Sequence, residues 1–169
     1  VILADEPVSM LDVSTQAAIL NLLSDLMEDV GASMVYISHY LSTVSYVCDT
    51  INVMYLGRVV ENAPTDELLD NPKHPYTQAL VQAIPYPDPH ANRQRTEMEG
   101  APRDPIGLGE GCRFRDRCPE RMDICEKTPR SVQVEDGEGG HQAACHLYYQ
   151  HEGVTRDQEA TAKEMSSSK

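Results

Sequence analysis

Val1-Ile2-Leu3-Ala4-Asp5-Glu6-Pro7 opens the chain: an apolar run, two carboxylates and a proline. Such a run reads as a buried parallel strand whose carboxyl end carries chemistry. With Val in first place and no earlier strand to pair with, the stretch reads as the interior of a longer domain. Working outward, Ile19, Leu22, Leu23, Leu26 and Val30 recur at helical spacing, Ser14 or Thr15 is placed to cap the helix start, and Gly31 to end it. Ser33 to Ser38 (Ser-Met-Val-Tyr-Ile-Ser) reads as a second buried strand ending at His39. A short helix over about 41–48 leads to a strand over 50–56, a turn at Gly57 and a return strand from Arg58 to Glu61. Strand, helix, strand, helix, hairpin is an α/β order.

Beyond Pro64 the spacing predicts two short helices, 65–71 and 75–84, separated by Asn71-Pro72-Lys73-His74-Pro75. Residues 86–111 are rich in Pro, Gly and charge without apolar period and read as a linker. From His151 onward almost no apolar residues remain, so the end of the chain reads as a disordered tail.

The 169 residues carry 27 acidic and 14 basic side chains, a net charge of −13. That surface repels phosphate backbones and excludes nucleic acid as a partner, since duplex binding needs a basic patch. It suits either an ordinary acidic protein or one solvated in high salt. No apolar run approaches the roughly 18 residues of a membrane span, so any membrane role comes through a partner.

A strand ending in Asp5-Glu6 puts two carboxylates at a sheet edge, where one can hold hydrated Mg²⁺ and the other polarise a water attacking phosphate. Alone this pair is more often a solvated loop start. Its neighbours change that: Ser9-Met10-Leu11-Asp12 follows at once, and Ile37-Ser38-His39 ends the next strand after one intervening helix. The topology brings His39 to the same edge as Glu6.

Leu-Ala-Asp-Glu-Pro, Ser-Met-Leu-Asp and Ile-Ser-His at these spacings resemble the Walker B, D-loop and H-loop series of ABC transporter ATPases. Val53-Met-Tyr-Leu-Gly-Arg-Val-Val-Glu61 and Asn71-Pro-Lys-His-Pro-Tyr-Thr77, with Ala79-Leu80 and Ala83-Ile84-Pro85, resemble the C-terminal extension of the oligopeptide/dipeptide importer ATPases. The resemblance covers residues 1 to about 148.

It implies an α/β fold: the C-terminal half of a P-loop NTPase domain, residues 1–62, then a small Cys-rich, mostly irregular or helical extension, 63–148, and a polar tail, 149–169. It further implies an ATP-hydrolysing subunit that binds ATP and Mg²⁺ and drives peptide import. Glu6 would be the general base and His39 the switch histidine at the γ-phosphate. Asp5 would hold Mg²⁺ through water, and Ser9 and Asp12 would belong to the D-loop that packs beside the ATP of the opposite subunit. The implied partners are a second ATP-binding subunit in a head-to-tail dimer, two transmembrane permease subunits and, indirectly, an extracytoplasmic solute-binding protein. The implied location is the cytoplasmic face of the membrane. Met10 and Tyr40 stand where the family usually has Ala and Asp. The family's glycine-rich phosphate loop, glutamine loop and Leu-Ser-Gly-Gly signature do not occur in these residues.

Four of the five cysteines, Cys112, Cys118, Cys125 and Cys145, crowd one segment. Four thiolates suit tetrahedral Zn²⁺ or an iron–sulfur cluster, and the gaps are longer than the Cys-x₂-Cys knuckles of structural zinc. The same cysteine series recurs in the extension of the importer subfamily, which favours a [4Fe-4S] centre over Zn²⁺; four reduced thiols without metal is the third reading. Segment 112–145 has few large apolar residues, too few for a core of its own, so a metal staple is expected. His141 and His146 read as incidental and His74-Pro75-Tyr76 as a rigid helix start. Cys48, in an apolar helix, reads as a small core residue. The competing functional class is a metal- or iron–sulfur-binding module without ATPase activity, which has no need of the motifs between residues 5 and 39.

Overall fold

The computed structural model of the chain describes residues 1–84, 104, 106–134 and 140–148. It is a mixed α/β structure with two sheets. The first sheet holds β1 (Ile2–Asp5) and β2 (Met34–Ile37), paired in parallel with Asp5 opposite Ile37. Parallel pairing needs a crossover, and α1 (Val13–Val30) supplies it.

The start of α1 differs from the sequence expectation. Asp12 is the cap: its carboxylate accepts from the Thr15 amide at 3.1 Å and from the Thr15 and Ser14 hydroxyls at 2.7 and 2.5 Å. A carboxylate at the N-cap accepts from several donors at once and opposes the positive helix end, which a hydroxyl at Ser14 or Thr15 cannot match. Those hydrogen bonds hold the Asp12 carboxyl well below its usual range, the one from Ser14 foremost. Gly31 ends the helix in the left-handed conformation, as expected. The buried side of α1 is centred on Leu20, with Ile19, Leu23 and Met27 half-buried; Leu22, Leu26 and Val30 of the anticipated stripe are exposed. β1 and β2 are likewise only half covered, with Leu3 and Val35 exposed.

α2 (Leu41–Val47) leads into the second sheet. Here β3 (Thr50–Tyr55) and β4 (Arg58–Pro64) form an antiparallel hairpin whose two-residue turn, Leu56-Gly57, has φ of 46° and 76°. Positive φ at both turn positions matches the strand twist. Gly57 adopts it freely; Leu56 is held there by the Arg113 guanidinium, which donates to its carbonyl. α3 (Thr65–Asp70) and α4 (Pro75–Ala83) follow. Pro75 sits in the first turn of α4, and His74 caps it by accepting from the Tyr76 amide at 3.1 Å, so His74-Pro75-Tyr76 is a helix start as read.

The cysteine segment is irregular chain with three short 3-10 turns, Arg115–Arg117, Asp123–Glu126 and His146–Tyr148, and it also adds strands to the sheet. Residues anticipated as irregular or helical supply two short strands, β5 (Val132–Gln133) and β6 (Gln142–Ala143), giving the sheet order β3-β4-β6-β5. Two-residue strands carry too little periodicity to be read from sequence. Nor does the segment stand apart from a core. Ile51, Val53 and Tyr55 from β3, with Val60, Ala63 and Leu68, form one cluster with Cys112, Phe114 and Cys125. Phe114 is 1% exposed and meets Tyr55 edge-on at 5.2 Å between ring centroids. Burying such a side chain contributes about 2 to 3 kcal/mol, so the hairpin lends the segment the core it lacks. Gly111, at φ 102°, lets the chain enter that core: a Cβ there would come within 2.9 Å of the Cys125 and Glu126 carbonyl oxygens.

Residues 86–103 and 105 of the anticipated linker and the whole of the tail, 149–169, lie outside the described residues. Among the described residues no helix is long and apolar enough to cross a membrane.

Candidate functional site

The parallel pairing of β1 and β2 delivers Glu6 and His39 to one sheet edge. The Glu6 amide donates to the Ile37 carbonyl at 2.9 Å, one step past the last ladder pair. Glu6 then turns into the left-handed region, φ 47°, a conformation disfavoured for any residue but glycine and found at sites where the surroundings over-determine it. The surroundings here are explicit. His39 Nδ1 lies 2.6 Å from Glu6 Oε1, the His39 amide donates to the same oxygen at 3.1 Å, and Ser38 Oγ lies 3.5 Å from Oε2. An ionised carboxylate only accepts, so the shared hydrogen sits on Nδ1. That hydrogen bond holds the Glu6 carboxyl below its usual range. Both side chains remain open to solvent.

The following loop closes on Glu6. Ser9 donates from its amide and its hydroxyl to the Glu6 carbonyl, the latter at 3.0 Å, and Gln16 of α1 donates to the Val8 carbonyl at 3.0 Å. Val8 is buried while Met10 is almost fully exposed. Of the anticipated site residues, Glu6 and His39 are in contact, Ser9 shapes the turn, and Asp12 is committed to capping α1. Asp5, exposed at the end of β1, makes no side-chain hydrogen bond among the described residues, which leaves both oxygens available to a hydrated cation. Tyr40, at the start of α2, provides no side-chain cap; Ser38 Oγ accepts its amide instead at 3.2 Å, and its ring leans on His39 at 3.9 Å. Ser38 and Gln16 were not singled out in the sequence, where single hydroxyl and amide side chains carry no spacing signal.

The four clustered cysteines are free thiols. Cys112, Cys125 and Cys145 are buried and Cys118 is half-buried. Burial pushes the Cys118 thiol up to about 11 and that of Cys145 up to about 12, and Cys145 is raised further by Cys112, Cys118 and Cys125, so the four share one neighbourhood. Among the described residues the Nε atoms of Arg113 and Arg117 are buried without a hydrogen-bond acceptor, while that of Arg115 lies 3.5 Å from Glu126 Oε2. The charge of Arg115, which acts on the Cys112 thiol in favour of its ionised form against the effect of burial, suits an anionic tetrathiolate centre. Among the described residues, however, no three His, Cys, Asp or Glu side chains are drawn together as a metal-ligand set.

His141 and His146 are not incidental. His141 is fully buried, with Nε2 at 2.7 Å from Glu61 Oε1 and Nδ1 at 3.1 Å from Glu67 Oε1. Glu61, also buried, accepts the Lys73 and His74 amides at 2.7 and 2.8 Å. The hydrogen bond from His141 is the main cause holding the Glu67 carboxyl low. His146 Nε2 donates to the Lys127 carbonyl at 2.9 Å. These contacts fasten the cysteine segment to β4, α3 and the start of α4. Cys48 is not a core residue: it caps the end of α2, half-buried, with burial raising its thiol.

Residues 60–125 match the family described as "Oligopeptide/dipeptide transporter, C-terminal region". A Brucella ovis protein, whose name assigns it provisionally to peptide import as an ATP-binding protein, is 47% identical over 144 residues, 85% of this chain and 45% of its own length. The dipeptide transport ATP-binding protein DppF of Escherichia coli is 44% identical over 156 residues, 92% of this chain and 46% of its own. The protein of that name from Haemophilus influenzae is 45% identical over 138 residues, 81% and 42%. The chain thus spans less than half the length of the curated relatives it matches.

Proposed function

We propose that this chain, 44 to 47% identical to peptide-import and dipeptide-transport ATP-binding proteins, is the C-terminal part of an ABC importer ATPase, carrying the hydrolytic half of a nucleotide site. The observation that carries this reading is the meeting of Glu6 and His39 at the ends of two parallel strands, 2.6 Å apart. Glu6 is the general base: its carboxylate takes the proton of the water that attacks the terminal phosphate, with Asp5 holding hydrated Mg²⁺ beside it. For that, Glu6 Oε1 exchanges its two His39 hydrogen bonds for the water, and His39 turns to the γ-phosphate. Ser9 and Asp12 support the dimer-facing loop. The partners are a second ATP-binding subunit arranged head to tail, two transmembrane permeases and, through them, a solute-binding protein outside the membrane. Oligopeptides or dipeptides are the transported class, and the subunit lies against the cytoplasmic face of the membrane. The domain division is the one read from sequence, 1–62, 63–148 and 149–169, although β4 runs across its first boundary.

Cys112, Cys118, Cys125 and Cys145 hold one metal centre, [4Fe-4S] ahead of Zn²⁺. When bound it supplies a covalent-strength staple; the chain's own part is to bury the thiols and to hold the Arg115 charge near Cys112.

Residues 1–169 contain no glycine-rich phosphate loop, whose backbone amides cradle phosphates in such sites. Calorimetric titration of this chain with Mg-ATP is therefore expected to give no tight binding, and the longer protein that includes the loop is expected to give it. Tight binding by residues 1–169 alone contradicts the proposed division of the site.

A further inference from the structure

A second feature lies away from the Glu6 edge. A cavity of about 220 Å³ opens where β4 meets the cysteine segment. An engineered cavity of about 150 Å³ holds a benzene molecule, so this one has room for a ligand the size of an amino acid or small dipeptide. Its walls combine the apolar residues Val59, Val60, Pro129 and Ala144 with two arginines, Arg58 and Arg113, and with Ser131. Among the described residues no aspartate or glutamate lines it, in a chain with 27 acidic and 14 basic side chains.

Among the described residues neither arginine is paired with a carboxylate. Arg58, at the exposed start of β4, has no salt bridge or hydrogen bond among the described residues. Arg113 spends one nitrogen on the neutral Leu56 carbonyl, and its Nε is buried without a partner. Guanidinium donors in a fork match the two oxygens of a carboxylate, and pockets of this kind use a few polar groups to orient a mostly apolar ligand. The cavity is not the space between the four thiols: of the cysteines only Cys112 lines it.

We propose that this cavity is a binding site for a small oxyanion joined to an apolar body, above all a monocarboxylate with a branched aliphatic side chain. The carboxylate pairs with Arg58 and Arg113, Ser131 offers a hydroxyl, and the aliphatic part rests on Val60, Pro129 and Ala144. A free α-amino group would meet two cations, so an N-blocked acid is preferred to a free amino acid.

The test is calorimetric titration of the full chain with N-acetyl-leucine, its uncharged amide and inorganic phosphate. Binding of the acid is expected, with the amide at least tenfold weaker for want of the charge. Arg58→Gln, at an exposed position, is expected to weaken the acid about tenfold, with a circular-dichroism melt as its control. Arg113→Lys keeps the charge but loses the fork and is expected to weaken it too, while a circular-dichroism melt reports whether the β3–β4 turn survives. No binding of the acid, equal binding of acid and amide, or affinity unchanged by Arg58→Gln overturns the proposal. Binding of phosphate without N-acetyl-leucine also overturns the assigned ligand class.

Discussion

His39 Nδ1 sits 2.6 Å from Glu6 Oε1, so the proposed base is held by its neighbour's imidazole while no phosphate is present. Two strands separated by an 18-residue helix converge on this contact, and Glu6 leaves the extended conformation to make it. A base held in this way is spent on a protein donor until something with a stronger claim on His39 arrives. A terminal phosphate, with its charge, is such a group.

Acid stability follows from His74. It is buried and accepts the Tyr76 amide through Nδ1, and burial lowers its pKa from 6.5 to about 4. On acidification the unfolded chain takes the proton first, so stability from this group is full above about pH 6.5, falls between pH 6.5 and 4, and is level below. The loss across that window is about 3 kcal/mol at roughly 1.4 kcal/mol per pH unit. Urea unfolding followed over this range should show the slope, and His74→Asn, which can still cap α4 but does not titrate, should flatten it. Equal slopes in the two proteins would remove His74 from the account.

The Glu61–His141 pair should govern attachment of the cysteine segment. Both side chains are fully buried, and removing one partner of a buried pair costs about 3 to 5 kcal/mol. Since Glu61 keeps the Lys73 and His74 amides, His141→Ala is expected near the lower end, about 3 kcal/mol by urea denaturation. A loss below about 1 kcal/mol would mean the two groups contribute no more than an exposed ion pair.

Anaerobic purification of the full chain is expected to give a brown protein absorbing broadly near about 400 nm, with iron and sulfide in stoichiometric amount. Cys145→Ser should lower the metal content and the thermal midpoint together. A colourless protein with one equivalent of zinc would replace the cluster and keep the staple. Metal-free protein with four titrating thiols and an unchanged melt would remove both.

The legible part of the fold was the part written in long patterns. Apolar run, helix, apolar run and His39 gave the β1–α1–β2 unit and the sheet edge where Glu6 and His39 meet, because parallel strands of this kind end on the same side. Gly57 and Pro75 marked a turn and a helix start through backbone chemistry that few other residues share. The Asp12 cap was missed because Ser14 and Thr15 are equally good caps in isolation, and only the carboxylate's extra acceptors decide between them. The exposed Leu22, Leu26 and Val30 could not be foreseen from period alone, which reports an apolar face and not whether anything covers it. β5 and β6 are too short to leave a period. The Glu61–His141–Glu67 network joins residues up to 80 positions apart, and no local signal announces such a contact.

The central claim rests on Glu6. In the proposed longer protein, assembled with the proposed membrane subunits, Glu6→Gln keeps the shape of the side chain but cannot take the proton of the attacking water. The direct measurement is the steady-state ATPase rate of this variant beside its affinity for Mg-ATP. Loss of turnover by at least about a hundredfold, with nucleotide affinity retained, is the expected result, since one positioned proton acceptor contributes on the order of 10² to 10⁴ in rate. Turnover within a few-fold of the unsubstituted protein would contradict it.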